Sequence, residues 1–277
     1  MTEQITVTQH YGSAPLIDRV RTALLNAGLG SGQLAWSDVA ALDQFHVRGL
    51  AATKELASAL SLTPDTKVLD VGSGLGGPAR FLAAAYGCHV TGIDLSSSFV
   101  EVAQMLSERT GLADRVTYRQ ADALHLPFED GAFDHTWTQH VAMNIQDRPA
   151  LYAEIRRVMK PGGLLAIYDV VAGNGGDLHF PVPWARHPEI SFLLTQDAMR
   201  ETLVACGFSV VSWDDKTDAG VSWYAEQAAK APQQAGPTPA LGIGVVMGVE
   251  FAQMAANLGQ NLREGRTQLV QAVLKRI

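Results

Sequence analysis

Several things are scarce in this chain of 277 residues, and each scarcity closes off a class of protein. There are only two cysteines, Cys88 and Cys206. They lie far apart with no metal-ligand spacing, so no metal is expected, and each stands beside a glycine at an element end, which suits a small buried thiol. Basic residues are outnumbered, 21 Lys and Arg against 28 Asp and Glu, for a formal net charge of -7. Binding a polyanion needs clustered Lys and Arg, so no nucleic-acid partner is expected. No basic stretch followed by an apolar core opens the chain, which argues against a signal peptide. The longest apolar run, Leu241 to Val249, is too short to span a bilayer and continues into Glu250 and Gln253. Charged residues make up 18% and hydrophobic residues 47%, so a sizeable core can be buried. The length suits one elaborated α/β domain or two small ones. The expectation is a soluble, cytoplasmic protein.

What is present is concentrated between Lys67 and Asp94. Val68-Leu69-Asp70-Val71 is an apolar, β-branched run that reads as a buried parallel strand. Gly72-Ser73-Gly74-Leu75-Gly76-Gly77 follows, and then Pro78 at a first helical position, where its missing N–H costs nothing. Phe81, Leu82 and Ala85 give the helix an apolar stripe, and Gly87 ends it. A second strand, His89 to Leu95, carries Asp94 at its tip. Glycines admit a ligand where a Cβ would clash, a helix N-terminus offers unpaired N–H groups, and an acid about 20 residues on can accept both hydroxyls of a ribose. The unit therefore predicts a nucleoside-bearing ligand. Gly72, Gly74 and Gly77 also fit the dinucleotide fingerprint. Asp70 decides between the two, because a carboxylate there would repel a pyrophosphate and tolerate a cationic ligand.

The rest of the chain reads as alternating helices and strands. Residues 1–14 are polar, and 16–60 read as helices broken at Gly28, Gly30 and Gly32, with a second helix from Gly49 to Leu60. Asp43-Gln44-Phe45-His46 joins the two helical parts, either as a plain connection or as a source of side chains for a ligand. Ser98-Phe99-Val100-Glu101 reads as a capping box opening a crossover helix that stops at Gly111. Arg115–Gln120 is a third strand and Phe133–Thr138 a fourth. Strand tips line the ligand crevice of open parallel sheets, so Gln139, His140, Met143 and Asn144 should face it. Asp147 suits a helix cap, Lys160-Pro161-Gly162-Gly163 a hairpin-like stop, and Leu164–Val171 a fifth strand with Tyr168 near its end. Residues 172–195 are rich in Gly and Pro; there Phe180-Pro181-Val182-Pro183-Trp184-Ala185 makes either a stiff ligand wall or a core plug. A helix to Cys206, a strand Phe208–Trp213 and a helix Ala219–Lys230 follow. Then come a linker at 231–237, a helix from Gly244 to Arg263 and a final antiparallel strand over Leu269–Ile277.

Val68–Gly76 resembles motif I of the class I S-adenosylmethionine (SAM) methyltransferases, and Arg157-Val158-Met159-Lys160-Pro161-Gly162-Gly163 before an apolar strand is similar to the same superfamily. The resemblance covers roughly 60–215. It implies a doubly wound, Rossmann-like α/β fold: a seven-stranded, mostly parallel sheet in a domain over 61–277, a lid insertion at about 172–195, and an N-terminal helical cap over 1–60 that closes the pocket. It implies SAM as cofactor, held by Gly72, Ser73, Gly74, Asp94, Leu95 and Gln139. Ala121-Asp122-Ala123 resembles the adenine loop, with Asp122 accepting from the adenine amino group and the Ala123 N–H meeting a ring nitrogen. Ser73 stands where the motif often has Cys, a change of no consequence if the backbone makes the contacts. GSGLGGPAR, TWTQHVAMNI and FPVPWA together resemble the sarcosine/dimethylglycine N-methyltransferase-like branch, so the acceptor implied is a small amine such as a glycine derivative.

A neutral amine is needed for attack, and His is the side chain best placed to take a proton near neutrality. His140, at a strand tip, is the preferred candidate base and His46 the second; either reads equally as a structural hydrogen-bonder. Gln44, Asn144, Tyr168 and Trp184 are the candidate substrate contacts. The alternatives are C- or O-methylation of a quinone-like or other small metabolite, an NAD-dependent oxidoreductase, and a SAM-binding protein without catalysis. A small-molecule partner with no membrane span is expected, and a homodimer is compatible. The stretch after strand four lacks the clustered carboxylates of metal-dependent O-methyltransferases and the Pro-Pro-aromatic motif of DNA amino-methyltransferases.

Overall fold

The central strands of the sheet are largely apolar and buried on both faces, while the edge strands carry polar, exposed side chains. A computed structural model describes residues 15–230 and 241–277; the polar start and the 231–237 linker read from the sequence lie outside the described residues. Seven strands, β1 Lys67–Val71, β2 His89–Asp94, β3 Val116–Gln120, β4 Phe133–Gln139, β5 Met159–Ala172, β6 Phe208–Asp215 and β7 Thr267–Arg276, form one sheet in the order β3-β2-β1-β4-β5-β7-β6. β3 through β5 pair in parallel, and β7 inserts antiparallel between β5 and β6. Alternation with period two assigns the layers. Ala166, Tyr168 and Val170 of β5 enter one core while Leu165, Ile167 and Val171 enter the other. Both faces are covered, which is why these strands read as unbroken apolar runs.

The helices are α1 Leu16–Asn26, α2 Ala40–Asp43, α3 Leu50–Ala57, α4 Gly77–Tyr86, α5 Ser97–Arg109, α6 Arg148–Val158, α7 Gln196–Ala205, α8 Thr217–Lys230, α9 Gly244–Met247 and α10 Phe251–Arg263. The reversal of strand order between β1 and β4 opens the crevice in which such sheets hold ligands. A third apolar cluster joins the cap to the sheet's helices: Leu16, Val20 and Leu24 of α1 meet Leu75, Phe99 and Val246. Among the described residues no helix is long and apolar enough to cross a membrane.

Several local expectations change. The N-cap of α5 is Ser96, whose hydroxyl accepts from the Phe99 N–H at 3.3 Å, so the helix begins ahead of the expected capping box. The single helix expected over 244–263 is two, because Gly248 turns the chain at φ +81°. Lys160–Gly163 is the irregular first part of β5, where the register with β4 shifts, and makes no separate stop. Cys88 is buried, and burial pushes its thiol up to about 11; Cys206 is half-buried, contrary to the reading of both as core thiols.

Candidate active site

The tips of β1, β2, β3 and β4 converge with the cap and the C-terminal helices on one cavity of about 250 Å³. At the β1 tip, Gly72, Ser73 and Gly74 line it. The glycines answer to the protein as much as to any ligand. A Cβ on Gly72 would lie 2.4 Å from Val141 Cγ2, and one on Gly76 would lie 2.0 Å from the Tyr118 hydroxyl; both residues have positive φ. Only the Gly74 position, 3.3 Å from the Phe45 ring, is close to ordinary contact. The motif's glycines thus let a tight left-handed turn fold under a neighbouring side chain, a packing role that spacing does not reveal.

Asp94 closes the turn. Its Oδ2 accepts from the Gly74 N–H at 3.0 Å and its Oδ1 from the Ser96 N–H at 2.9 Å. Burial raises its pKa to about 6 against the pull of those two bonds. Asp70, at the end of β1, is 2% exposed and lines the same cavity. Burial, with the Asp94 charge second, raises it to about 8. Its Oδ2 and the Ser73 hydroxyl are enclosed without a hydrogen-bond partner. A buried carboxylate with an orphaned oxygen, beside a half-buried one, is a place prepared for a cationic or hydrogen-bond-donating ligand.

Leu95, Asp122 and Ala123 continue the same wall. Asp122 does two things at once, since its Oδ1 caps the turn by accepting from Leu124 N–H at 2.9 Å while the residue still lines the cavity. On the β4 side, Gln139, His140 and Asn144 line the cavity too. Gln139 Oε1 is held by Trp137 Nε1–H at 3.0 Å, and Gln139 Nε2 has no partner. His140 sits at φ +53°, pinned by its N–H donating to the Tyr168 carbonyl at 2.8 Å. A non-glycine residue in that region is strained, and here it turns the ring into the crevice. Burial, then the neighbouring His46, holds His140 well below the usual imidazole range.

His46 comes from the cap, its ring centroid 6.0 Å from that of His140. Its Nε2 lies 2.9 Å from the Gly49 carbonyl, so Nε2 carries the hydrogen and Nδ1 is the acceptor nitrogen. Burial lowers its pKa to about 4. Both rings are therefore neutral at pH 7, able to accept a hydrogen bond but poor at storing a proton.

Two sequence candidates do not reach the cavity. Tyr168 is fully buried and stacks under His140, centroids 5.3 Å apart, because its place in β5 points it into the core. Gln44 is turned inward and braces Thr53, whose hydroxyl donates to Gln44 Oε1 at 2.7 Å. Trp184 is both wall and plug: it lines the cavity, is 8% exposed, and donates to Ser191 Oγ at 2.9 Å. Asp43, in the segment expected to offer side chains to a ligand, lines the cavity but pairs with Arg80 at 2.6 Å, a contact with no signal in the sequence. Nor was the roof made by Ile243, Met247 and Phe251 expected. No periodic signal in the sequence ties residues near 250 to a turn near 72.

Comparison with known proteins matches this geometry to a family. A model of the family described as "Methyltransferase domain" matches residues 69–167. The O-methyltransferase resE of Aspergillus sclerotiorum is 32% identical over 188 residues, 66% of this chain and 70% of that one. This chain belongs to the class I SAM-dependent methyltransferases. Methyltransferase GfsG of Streptomyces halstedii is 40% identical over 136 residues, 49% of each chain. The glycine/sarcosine/dimethylglycine N-methyltransferase of Actinopolyspora halophila is 28% identical over 165 residues, 60% of this chain and 29% of that one. The chain spans about half the length, or less, of the first curated relatives it matches. Among solved structures, the [4+2]-cyclase SpnF superposes with a TM-score of 0.69 at 25% identity over 99% of this methyltransferase-family chain and 96% of its own. The doubly wound, seven-stranded fold expected from motif I is the one observed.

Proposed function

We propose that this chain transfers a methyl group from SAM to a small-molecule acceptor. One observation carries the proposal: the Asp94 carboxylate, the Gly72–Gly74 turn and the orphaned Asp70 and Ser73 oxygens share a cavity with two neutral imidazoles at the β4 and cap side. The residues fit the cofactor. Asp94 would hold the ribose hydroxyls, the Asp122–Ala123 turn the adenine, and Asp70 the cationic amino-acid end. When bound, the cofactor supplies an electrophilic methyl on a positively charged sulfur. What remains for the protein is to align a nucleophile, a contribution of up to roughly 7–11 kcal/mol, and to accept a hydrogen bond from it at His140 or His46.

The fold alone does not carry methyl transfer, since a [4+2]-cyclase shares it. Nor do the relatives' names select an acceptor atom, because O- and N-methyltransferases and sterol C-methyltransferases all match. N-methylation of a glycine derivative has the A. halophila relative and the FPVPWA resemblance in its favour. Against it, among the described residues no Lys or Arg lines the cavity to meet a carboxylate. Calorimetric titration with S-adenosylhomocysteine and with NADH tests the cofactor: the first should bind and the second should not. Incubation with methyl-labelled SAM and a panel of amines, alcohols and quinols then tests turnover. Binding of NADH in place of the homocysteine compound would return the chain to the oxidoreductase reading, and binding without label transfer to any acceptor would leave a non-catalytic SAM-binding protein.

A further inference from the structure

We infer that the acceptor end of this cavity takes an uncharged, largely apolar molecule bearing a hydroxyl. The inference rests on the methyltransferase reading above and names the acceptor class. The strand order separates the two ends. Asp70, Asp94 and Asp122 stand at the tips of β1, β2 and β3, on the side assigned to the donor. Across the switch point, the walls following β4 and β5 and the C-terminal roof are Met143, Ile145, Pro183, Trp184, Met247 and Phe251. Among the described residues, that end is lined by no Asp, Glu, Lys or Arg side chain.

Among the described residues the basic side chains of the surrounding elements stay out of the cavity lining and are paired elsewhere, although Arg48 Nη1 and Arg80 Nε are buried without a partner. Arg48 pairs with Glu55 at 2.7 Å and Arg80 with Asp43 at 2.6 Å. Arg148 donates to the Ile145 and Phe192 carbonyls at 2.8 Å each, and Arg186 pairs with Glu250 at 2.6 Å. A carboxylate or phosphate entering here would lose its water and gain no counterion, a cost of several kcal/mol. Among the described residues, the carboxylates an ammonium could meet in the cavity, Asp43, Asp70, Asp94 and Asp122, stand on the side assigned to the donor. The polar groups that face the acceptor end are the neutral rings of His46 and His140, the unpartnered Gln139 amide nitrogen and the uncharged Asn144 amide. An acceptor nitrogen and an amide donor match the one donor and the lone pairs of a hydroxyl.

The apolar walls are also held in place. Asn257 of α10 donates to the Pro181 carbonyl at 2.9 Å, and Asn261 exchanges two hydrogen bonds with the His179 backbone, at 2.9 and 3.1 Å. The Pro183–Trp184 wall is thereby fastened to the helix that begins at Phe251. An apolar surface already in its bound shape favours a rigid apolar guest.

The test uses the full chain saturated with S-adenosylhomocysteine at pH 7.5, titrated by calorimetry with shape-matched naphthalenes and with sarcosine. We expect 2-naphthol to bind at least ten-fold more tightly than 2-naphthoate, 2-naphthylmethylammonium or sarcosine. Phe251→Arg, with S-adenosylhomocysteine binding as the check on folding, should reverse the preference between naphthol and naphthoate. Equal or tighter binding of a charged member, or a saturated complex that takes no naphthol, overturns the inference. Failure of S-adenosylhomocysteine to bind at all is a separate result, which removes the methyltransferase reading itself.

Discussion

Asp94 uses both carboxylate oxygens on the backbone of the glycine turn and of the α5 N-terminus, so it braces the turn in addition to the ribose role proposed for it. Removing it should cost more than one ribose contact. Asp94→Ala should weaken S-adenosylhomocysteine by tens-fold, in keeping with roughly 1.5–3 kcal/mol for hydrogen bonds to a charged group, and calorimetry reads this directly. Its pH dependence has a definite sign. A pKa raised to about 6 means the carboxylate takes up a proton as pH falls below 6, and the protonated group is the poorer acceptor. The KM for SAM should therefore rise below pH 6. The imidazoles behave oppositely: burial has already lowered His46 to about 4, so kcat at saturating SAM should show no acidic limb near 6.5. Steady-state kinetics from pH 5 to 8 separates the two; a kcat that falls with a midpoint near 6.5 would mean that an imidazole titrates at its ordinary value and that burial does not hold the rings neutral. Asp94 was legible in the sequence because an acid at a strand tip has a fixed address in this topology. The inward turn of Tyr168 was not, because a strand places neighbours on alternate faces and only the observed register tells which face is the crevice.

At the scale of elements, strands and helices follow their local signals where burial and turn chemistry agree. β1 and β5 are apolar on both faces, Gly87 ends α4 at φ +72°, and Asp147 caps α6 by accepting from Ala150 N–H at 2.9 Å, all as read from the residues. What escaped were elements set by distant partners. The 3-10 turn Trp36–Val39 and the short α2 have little local signal, yet they bring Asp43 onto Arg80 with both side chains 2% exposed or less. Gly77 exists for this contact, since a Cβ there would lie 2.4 Å from the Asp43 carboxylate. The pair locks the cap to the first helix of motif I. Asp43→Ala should destabilise the protein by about 3–5 kcal/mol, because it strands a buried guanidinium, whereas replacing both partners by apolar side chains of similar volume should recover most of that loss. Denaturant unfolding of the two variants checks it; a single variant as stable as the parent would show the pair to be dispensable.

The whole molecule is a sheet whose ligand end is roofed twice, by the N-terminal cap and by α9–α10, so charge buried at that end bears on global stability. Asp70 is the extreme case. Its folded-state value of about 8 stands above the ordinary 3.8, so the native protein holds a proton there that the unfolded chain has released. Stability from this group is complete below about pH 4 and is lost as pH rises through 8. The lowered histidines pull the other way, but only below their ordinary 6.5, and Asp94 and Asp169, both raised to about 6, are largely ionised above it. Between pH 6.5 and 8 the slope therefore belongs to the carboxyls that burial raises furthest, Asp70 coupled to the Asp94 charge and, in the same direction, Asp43, with an upper limit of about 1.4 kcal/mol per pH unit for each group. Unliganded protein should lose stability over that window, and Asp70→Asn should lessen the loss while weakening S-adenosylhomocysteine, since the amide offers no charge to the ammonium of the ligand's amino-acid end. Thermal unfolding at half-unit pH steps, with and without the ligand, measures both effects. A parent profile that stays level from 6.5 to 8 would mean that Asp70 is already ionised in the empty cavity, and that its orphaned oxygen is satisfied by water rather than kept for the ligand.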